Sequence, residues 1–296
     1  LTERVKKALS RPDLCHREPE FSDLQNSIRH KLLNVYELSD SDWAPILITG
    51  SGTAAIEAML VSCVPKNGKV LVLENGVYGE RMSQILDAYG INHEKLQTDW
   101  ETTINITAVK RLVSQTKYSH IAVVHHETTT GRLNNLHEIV ELCSEFGNEL
   151  ILDCVSSFGA EKIPFDPEIV TAFAATANKC LHGVPGTSFV MLNRNLTKGR
   201  VPPSRSVYLD LFKYLRAQDA SATPFTQSIQ TFYALDEALS EFFEEGGLEA
   251  RHLLYRRRMD AISDALLTMD ITGLLPDDSN SVVLKSFVIP SGKTYS

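Results

Sequence analysis

Cysteine is scarce and badly placed for cross-linking. The five residues, Cys15, Cys63, Cys143, Cys154 and Cys180, are odd in number and form no CxxC pair, which argues against both a disulfide framework and a structural zinc site. Reduced, structural thiols are expected. No stretch approaches the ~18 consecutive apolar residues of a membrane-spanning helix. The opening Leu1-Thr-Glu-Arg-Val-Lys-Lys has the layout of neither a signal peptide nor an anchor. A soluble, cytoplasmic protein with no membrane partner is the expectation. Excess positive charge is missing too: 29 Lys and Arg stand against 37 Asp and Glu, a net charge of -8, so the chain lacks the electrostatic footprint of a nucleic-acid binder.

What is present is core-forming material. With 43% hydrophobic residues over 296 positions, the chain has enough to bury a full core, and its length suits one large domain and a smaller one. Residues 1–43 read as a polar arm and a first helix, with Leu24, Ile28, Leu32 and Val35 at helical spacing between Phe21 and Leu38. Strands and helices then alternate. Strands are predicted at 44–49, 69–73, 120–124, 149–153, 171–176 and 187–192, and helices from 52, over 77–89, over 105–117 and over 136–146. Such alternation makes an α/β sheet. Further on, 194–205 reads as a basic, proline-bearing loop, 208–217 as a helix, 224–268 as a pair of helices interrupted by Glu245-Gly-Gly247, and 281–289 as a strand.

Candidate chemistry falls at the strand ends, where ligands collect in sheets of this kind. Gly50-Ser-Gly-Thr-Ala-Ala-Ile-Glu-Ala58 opens a helix directly after a strand, so backbone N–H groups and the helix dipole converge on one anion, with Ser51 and Thr53 adding hydroxyls. A phosphate suits that turn. The same Gly50-x-Gly52-x-x-Ala55, with Glu74 ending the next strand, also fits the dinucleotide fingerprint of an NAD enzyme, and a plain packing turn is the third reading. Tyr78, at the next strand-to-helix turn, either stacks on a planar ligand or packs as an ordinary tyrosine. His125, His126 and Glu127 invite a metal, but neighbours on a strand point to opposite faces and no HExxH completes a ligand set, so none is expected. Thr128 to Thr130 supply either donors to a polar ligand or a capping turn.

Asp153 is the most telling of these residues. A carboxylate ending an apolar strand is costly to bury unless a cation or a protonated ring nitrogen faces it. About one βα unit later, Lys179 stands in Ala174-Ala-Thr-Ala-Asn-Lys-Cys-Leu-His-Gly-Val-Pro-Gly186 among small, mostly apolar neighbours. Desolvation there favours a neutral amine able to condense with an aldehyde; the plainer reading is a lysine snorkelling from a strand end. An aspartate for a pyridinium nitrogen and a lysine for an aldehyde are what pyridoxal 5'-phosphate (PLP) asks for. A nicotinamide would explain only the glycine turn.

Five segments carry a family resemblance along essentially the whole chain: Gly50 to Ala58, Asn75-Gly-Val-Tyr-Gly-Glu-Arg-Met82, His125-His-Glu-Thr-Thr-Thr-Gly131, Asp153-Cys-Val-Ser-Ser-Phe-Gly159 and Ala177-Asn-Lys-Cys-Leu-His-Gly-Val-Pro-Gly186. Together they resemble the class V, fold-type I PLP-dependent aminotransferases. The threonine triplet and the Asn-Lys-Cys segment are most similar to members that move the amino group of 2-aminoethylphosphonate to pyruvate in phosphonate metabolism. The resemblance implies an α/β fold: a three-layer, aspartate-aminotransferase-like large domain with a mostly parallel seven-stranded sheet, plus a smaller α+β C-terminal domain. The implied division is an arm at 1–20, the PLP-binding domain at 21–235 and the small domain at 236–296.

The resemblance further implies that Lys179 carries the cofactor and serves as general base and acid, and that Asp153 binds the pyridine nitrogen. Ser51, Gly52 and Thr53 would hold the phosphate, with contacts added by Asn178 and by Thr223. Tyr78 would stack on the ring and Thr128 would bond near its hydroxyl. A homodimer with shared active sites and ping-pong kinetics are implied too. Arg205 is read as a solvated loop residue, with approach to a phosphonate as the other reading. Such enzymes also begin with a Thr-Pro-Gly-Pro segment and continue past the position of Ser296 to a substrate-gripping arginine, so an incomplete chain is expected and that arginine is unassigned. An alanine–glyoxylate or serine–pyruvate transaminase, an NAD-binding oxidoreductase and one part of a larger fusion are the alternatives.

Overall fold

The structure is a computed structural model that describes residues 1–200, 205–290 and 292. Residues 201–204 of the predicted basic loop, and 291 and 293–296 at the end of the predicted small domain, lie outside the described residues. Among the described residues nine strands form: β1 Trp43–Gly50, β2 Val70–Glu74, β3 His93–Gln97, β4 His120–Val124, β5 His126–Glu127, β6 Arg132–Leu133, β7 Glu149–Asp153, β8 Val170–Thr176 and β9 Gly186–Asn193. β5 and β6 pair as a small hairpin, and the other seven make one sheet in the order β1-β9-β8-β7-β4-β2-β3. The pairs β2–β3, β2–β4, β4–β7 and β7–β8 are parallel, while β9 runs antiparallel to both β8 and β1. The sheet is therefore mostly parallel.

Its inner strands β2, β4 and β7 are largely apolar because helices cover both faces, while the edge strand β3 is polar. Leu71, Leu73, Ile121, Val123, Leu150 and Leu152 point to one side, against α2 (Pro19–Asn34), α5 (Ile106–Gln115), α6 (Leu136–Phe146) and α9 (Ile229–Glu244). Val70, Val72, Ala122, Val124 and Ile151 point to the other, against α3 (Gly52–Cys63), α4 (Val77–Ala88) and α8 (Leu211–Asp219). Three layers result. The predicted arm contains a helix, α1 (Glu3–Ala8), which seats Val5 and Ala8 against Ala234 and Ala238 of α9. A single turn, α7 (Arg194–Thr197), follows β9, and α10 (Gly247–Leu267) ends the helical part.

Three predicted elements differ. The helix expected at 208–217 starts at Leu211, because the Asp210 side chain accepts hydrogen bonds from the backbone of Phe212 and Lys213 and so caps it there. The helices expected over 224–268 start later, at Ile229, while the interruption expected at Glu245-Gly-Gly247 is where the chain divides them, at Gly246 with a φ of 98°. The strand expected at 281–289 does not form. Opposite it stands only a short segment: Leu274 N donates to the Ser286 carbonyl and Val288 N to the Thr272 carbonyl. Meanwhile Ser281 N turns to the Gly131 carbonyl and Val282 N to the Glu161 carboxylate. A ladder needs a partner along its length, and loop contacts have taken the first donors.

The β1 edge shows how side chains close this sheet. The outward backbone groups of Leu47 are taken by one buried side chain: Gln218 of α8 accepts from Leu47 N at 3.1 Å and donates to its carbonyl at 2.8 Å. Arg29 of α2 donates to the Pro45 carbonyl beside it. The edge is thereby denied to another strand. Gln218→Ala leaves a buried N–H and C=O without partners, so urea denaturation should show a loss of about 2–3 kcal/mol.

Candidate active site

The C-terminal ends of β1, β2, β4, β7 and β8 lie on one side of the sheet, where its loops and helix N-termini converge. Ser51 is the N-cap of α3 but makes no capping hydrogen bond with its side chain. The first intrahelical bonds are those of Ala54 N and Ala55 N to the Ser51 carbonyl, so the N–H groups of Gly52 and Thr53 have no acceptor among the described residues. A Cβ on Gly52 would stand 3.0 Å from both methyl carbons of Val155. Only glycine lets this turn lie so close to the loop after Asp153.

The N-terminus of α4 is closed instead. The buried Glu127 carboxylate accepts from Tyr78 N at 3.1 Å, Gly79 N at 3.2 Å, Thr129 N at 3.1 Å and the Thr129 hydroxyl at 2.6 Å. Val77 N donates to the same hydroxyl. Glu127 is thus a helix-capping anion, held by the dipole and N–H groups of α4, with nothing left to offer a metal. Thr129 takes the capping part among the three threonines. Thr128 is half-buried, and its hydroxyl makes no hydrogen bond among the described residues.

Asp153 is buried, and Val155 N donates to its Oδ1 at 2.9 Å. Burial pushes its carboxyl up to about 7, aided by Glu127, while the Val155 hydrogen bond and the charges of Arg81 and Lys179 pull the other way. Two cations therefore act on this carboxylate. Arg81 is the one the sequence reading missed. Its guanidinium lies 4.7 Å from the centre of the half-buried Tyr78 ring, and its Nη1 is 3.5 Å from the Thr53 hydroxyl. The signal was available: Arg81 follows Tyr78 by three residues on a helix, a spacing that puts both on one side.

Lys179 differs from its expected setting. It is exposed rather than desolvated, because β8 ends at Thr176 and the lysine sits in the turn beyond, outside the small apolar run. That turn is closed by Gly183 N donating to the Ala177 carbonyl and His182 N to the Lys179 carbonyl. Asn178, also exposed, accepts from the Thr176 hydroxyl at 2.9 Å, leaving its amide nitrogen uncommitted among the described residues. Thr223 stands apart from this group. Its hydroxyl donates to the Phe225 carbonyl and accepts from Gln227, whose Oε1 accepts from Thr49, and no hydrogen bond joins it to the Gly50–Thr53 turn among the described residues.

Two other residues are corrected. Arg205 is neither solvated nor near the strand ends: it donates to the carbonyls of Val61, Val64 and Pro65, closing the C-terminus of α3 as a cation there should. Glu74 is buried and accepts from the Ser83 hydroxyl of α4, so it is committed to packing. That removes the ribose partner an NAD site would need.

An open helix N-terminus lined by hydroxyls, an aromatic face, a buried acid short of a counter-charge and a lysine acting on that acid fit PLP. They match its phosphate, its ring, its pyridine nitrogen and its aldehyde. The chain belongs to the class V aminotransferases, whose family model matches residues 5–292. It is 32% identical over 295 residues to the 2-aminoethylphosphonate–pyruvate transaminase of Bacillus cereus (strain AH820), covering 98% of this chain and 80% of that protein. It is 34% identical over 285 residues to the enzyme of the same name from Pseudomonas fluorescens (strain Pf0-1), covering 94% and 76%. Among solved structures it is similar to ureidoglycine–glyoxylate aminotransferase from Bacillus subtilis, with a TM-score of 0.88 at 26% identity over 99% of this chain and 76% of the other.

Two predictions follow from the geometry. A Cβ on Gly76 would stand 2.2 Å from the Glu127 carboxyl carbon, so Gly76→Ala must displace the α4 cap; thermal unfolding should show ~1–3 kcal/mol of destabilisation. Asp153 has a folded-state pKa above its unfolded value near 3.8, so its contribution to stability is present below that value and is lost as pH rises through about 7. Cofactor-free Asp153→Asn should therefore gain on the cofactor-free parent by up to about 4 kcal/mol between pH 4 and 8, at ~1.4 kcal/mol per pKa unit. Parallel denaturant curves across that range check it; equal pH slopes would refute the assignment.

Proposed function

We propose that this chain is a PLP-dependent transaminase that moves the amino group of 2-aminoethylphosphonate to pyruvate, giving phosphonoacetaldehyde and L-alanine. The observation that carries the substrate choice is the identity to enzymes of that name across nearly the whole chain. PLP, when bound, supplies an aldehyde that takes up the amine and a ring that holds an electron pair. In this reading Ser51, Gly52 and Thr53 hold its phosphate, with Asn178 and Thr223 as further contacts, and Tyr78 covers the ring. Thr128 bonds near the ring hydroxyl. Asp153 keeps the pyridine nitrogen protonated, which in turn gives the buried carboxylate its counter-charge. Lys179 is the attachment point, and once released it carries a proton between the substrate carbon and the cofactor carbon.

Because Thr223 stands apart from the turn in its own chain, the reading includes a homodimer in which the partner's loop completes the phosphate site. The division into a 21–235 cofactor domain and a 236–296 small domain belongs to the same reading, with α9 carrying the chain across it. No helix among the described residues is long and apolar enough to cross a membrane, which suits the cytoplasmic location we propose.

The test is the visible spectrum of the PLP-loaded protein. Addition of 2-aminoethylphosphonate should abolish the band of the lysine-bound cofactor, pyruvate should restore it, and Lys179→Ala should lack it. A band that responds to alanine or serine but not to the phosphonate would replace the substrate assignment with an alanine–glyoxylate or serine–pyruvate reaction. No band at all would refute the roles of Lys179 and Asp153.

A further inference from the structure

Lys179 makes no side-chain hydrogen bond among the described residues, so the direction its amine takes is set by the backbone of the turn that carries it. That turn is held from a distant part of the chain. Among the described residues of α10, Arg251 alone is buried, and it directs its guanidinium to this turn. Its Nη1 donates to the Cys180 carbonyl at 2.5 Å, while Nη2 donates to the Glu245 carboxylate at 2.8 Å and the group lies 5.3 Å from the centre of the Phe242 ring. A guanidinium on a buried carbonyl is a strong, charge-assisted contact.

One helical turn further along α10, Tyr255 makes a second contact. Its hydroxyl lies 2.7 Å from His182 Nε2, with the rings edge to face and their centres 6.0 Å apart. Burial pushes the tyrosine up to about 12. Burial also holds His182 down at about 4, with the Arg251 charge pushing the same way. The hydroxyl is therefore the donor and the uncharged ring the acceptor. His182 has a φ of 61°, a left-handed conformation that costs a residue with a Cβ and persists where its surroundings impose it. Arg251 and Tyr255 stand four apart on one face of the helix, and their targets, residues 180 and 182, follow Lys179 within three positions. Cys180 Sγ in turn donates to the Ser156 carbonyl at 3.4 Å, tying the turn to the loop after Asp153.

We propose that Arg251 and Tyr255 are positioning residues for Lys179: by gripping the Cys180 carbonyl and the His182 ring, α10 fixes the direction in which the lysine amine leaves its turn. The inference rests on the transaminase reading for what that amine does. Condensation bonds the amine nitrogen to the aldehyde carbon of PLP and releases water, and a misplacement of about 1 Å in such a step costs up to ~10²-fold in rate. Neither residue carries a proton in this scheme; each acts through the turn.

The test follows the growth of the lysine-bound band on adding PLP to the cofactor-free protein, with borohydride reduction and peptide mass spectrometry to count the cofactor attached to Lys179. Tyr255→Phe removes a hydroxyl and keeps the ring; the band should grow about tenfold more slowly, and thermal unfolding should change little. Arg251→Met should slow it about tenfold as well, and Arg251→Lys, which keeps a cationic donor, should recover most of that loss. In His182→Gly, which lacks the ring and tolerates the left-handed φ, adding Tyr255→Phe should slow the band no further. A rate within about twofold of wild type in Tyr255→Phe overturns the proposal, whatever happens to the melting temperature. A wild-type protein that forms no lysine-bound band refutes the transaminase reading and this inference with it. A normal wild-type band with unchanged variant rates sinks only the parts given to Arg251 and Tyr255.

Discussion

The constraint on which the site depends is a carboxylate taken out of water. Asp153 ends a central parallel strand between β4 and β8 and is buried, so its carboxylate has lost most of its water. One backbone N–H is its hydrogen-bonding partner, and the charges of Arg81 and Lys179 offset part of the desolvation. The acid is left close to half-protonated at neutral pH. Such a group is unstable as an anion and is stabilised by any cation brought beside it, the part our reading gives to a protonated ring nitrogen.

Much of the sheet is legible in the sequence because each strand is a short apolar run with a polar or glycine stop. Strand β7, predicted at 149–153, has those bounds in the structure, and so does helix α6, predicted at 136–146. Where the reading fails, the deciding contacts are long-range. Nothing local in the apolar run at 281–289 reveals that Glu161 and Gly131 claim its first donors. Arg205 sits in a basic loop by composition, yet three carbonyls at the end of α3, some 140 positions earlier in the chain, bind it. Lys179 was misjudged for the opposite reason: its neighbours in sequence are apolar, but they belong to the strand it has already left.

The motif His125-His-Glu illustrates why spacing alone misleads. Three classical ligand types in a row suggest a metal, and their geometry sends each to separate work. Glu127 closes a helix, and His126 turns one nitrogen to a backbone carbonyl. His125 is buried, and the loss of water holds its ring well below the usual histidine range, at about 3, with His126 and His137 pushing the same way. Alternation along an extended chain makes such a division the expected outcome.

The helices that follow β1 and β2, α3 and α4, open at this end of the sheet, and their N-termini differ in what they leave for a ligand. At α4 the Glu127 carboxylate and the Thr129 hydroxyl take the N–H groups of Val77, Tyr78 and Gly79, so the dipole is already neutralised by the protein's own charge. At α3 the cap residue leaves the N–H groups of Gly52 and Thr53 without acceptors among the described residues. Had both been open, a phosphate would have two competing seats on either side of Tyr78, and the position of the ring relative to Asp153 would be undetermined. Closing α4 from within leaves the α3 turn as the seat our reading gives the phosphate, and a planar ligand held there would turn its other end toward Asp153 and Lys179.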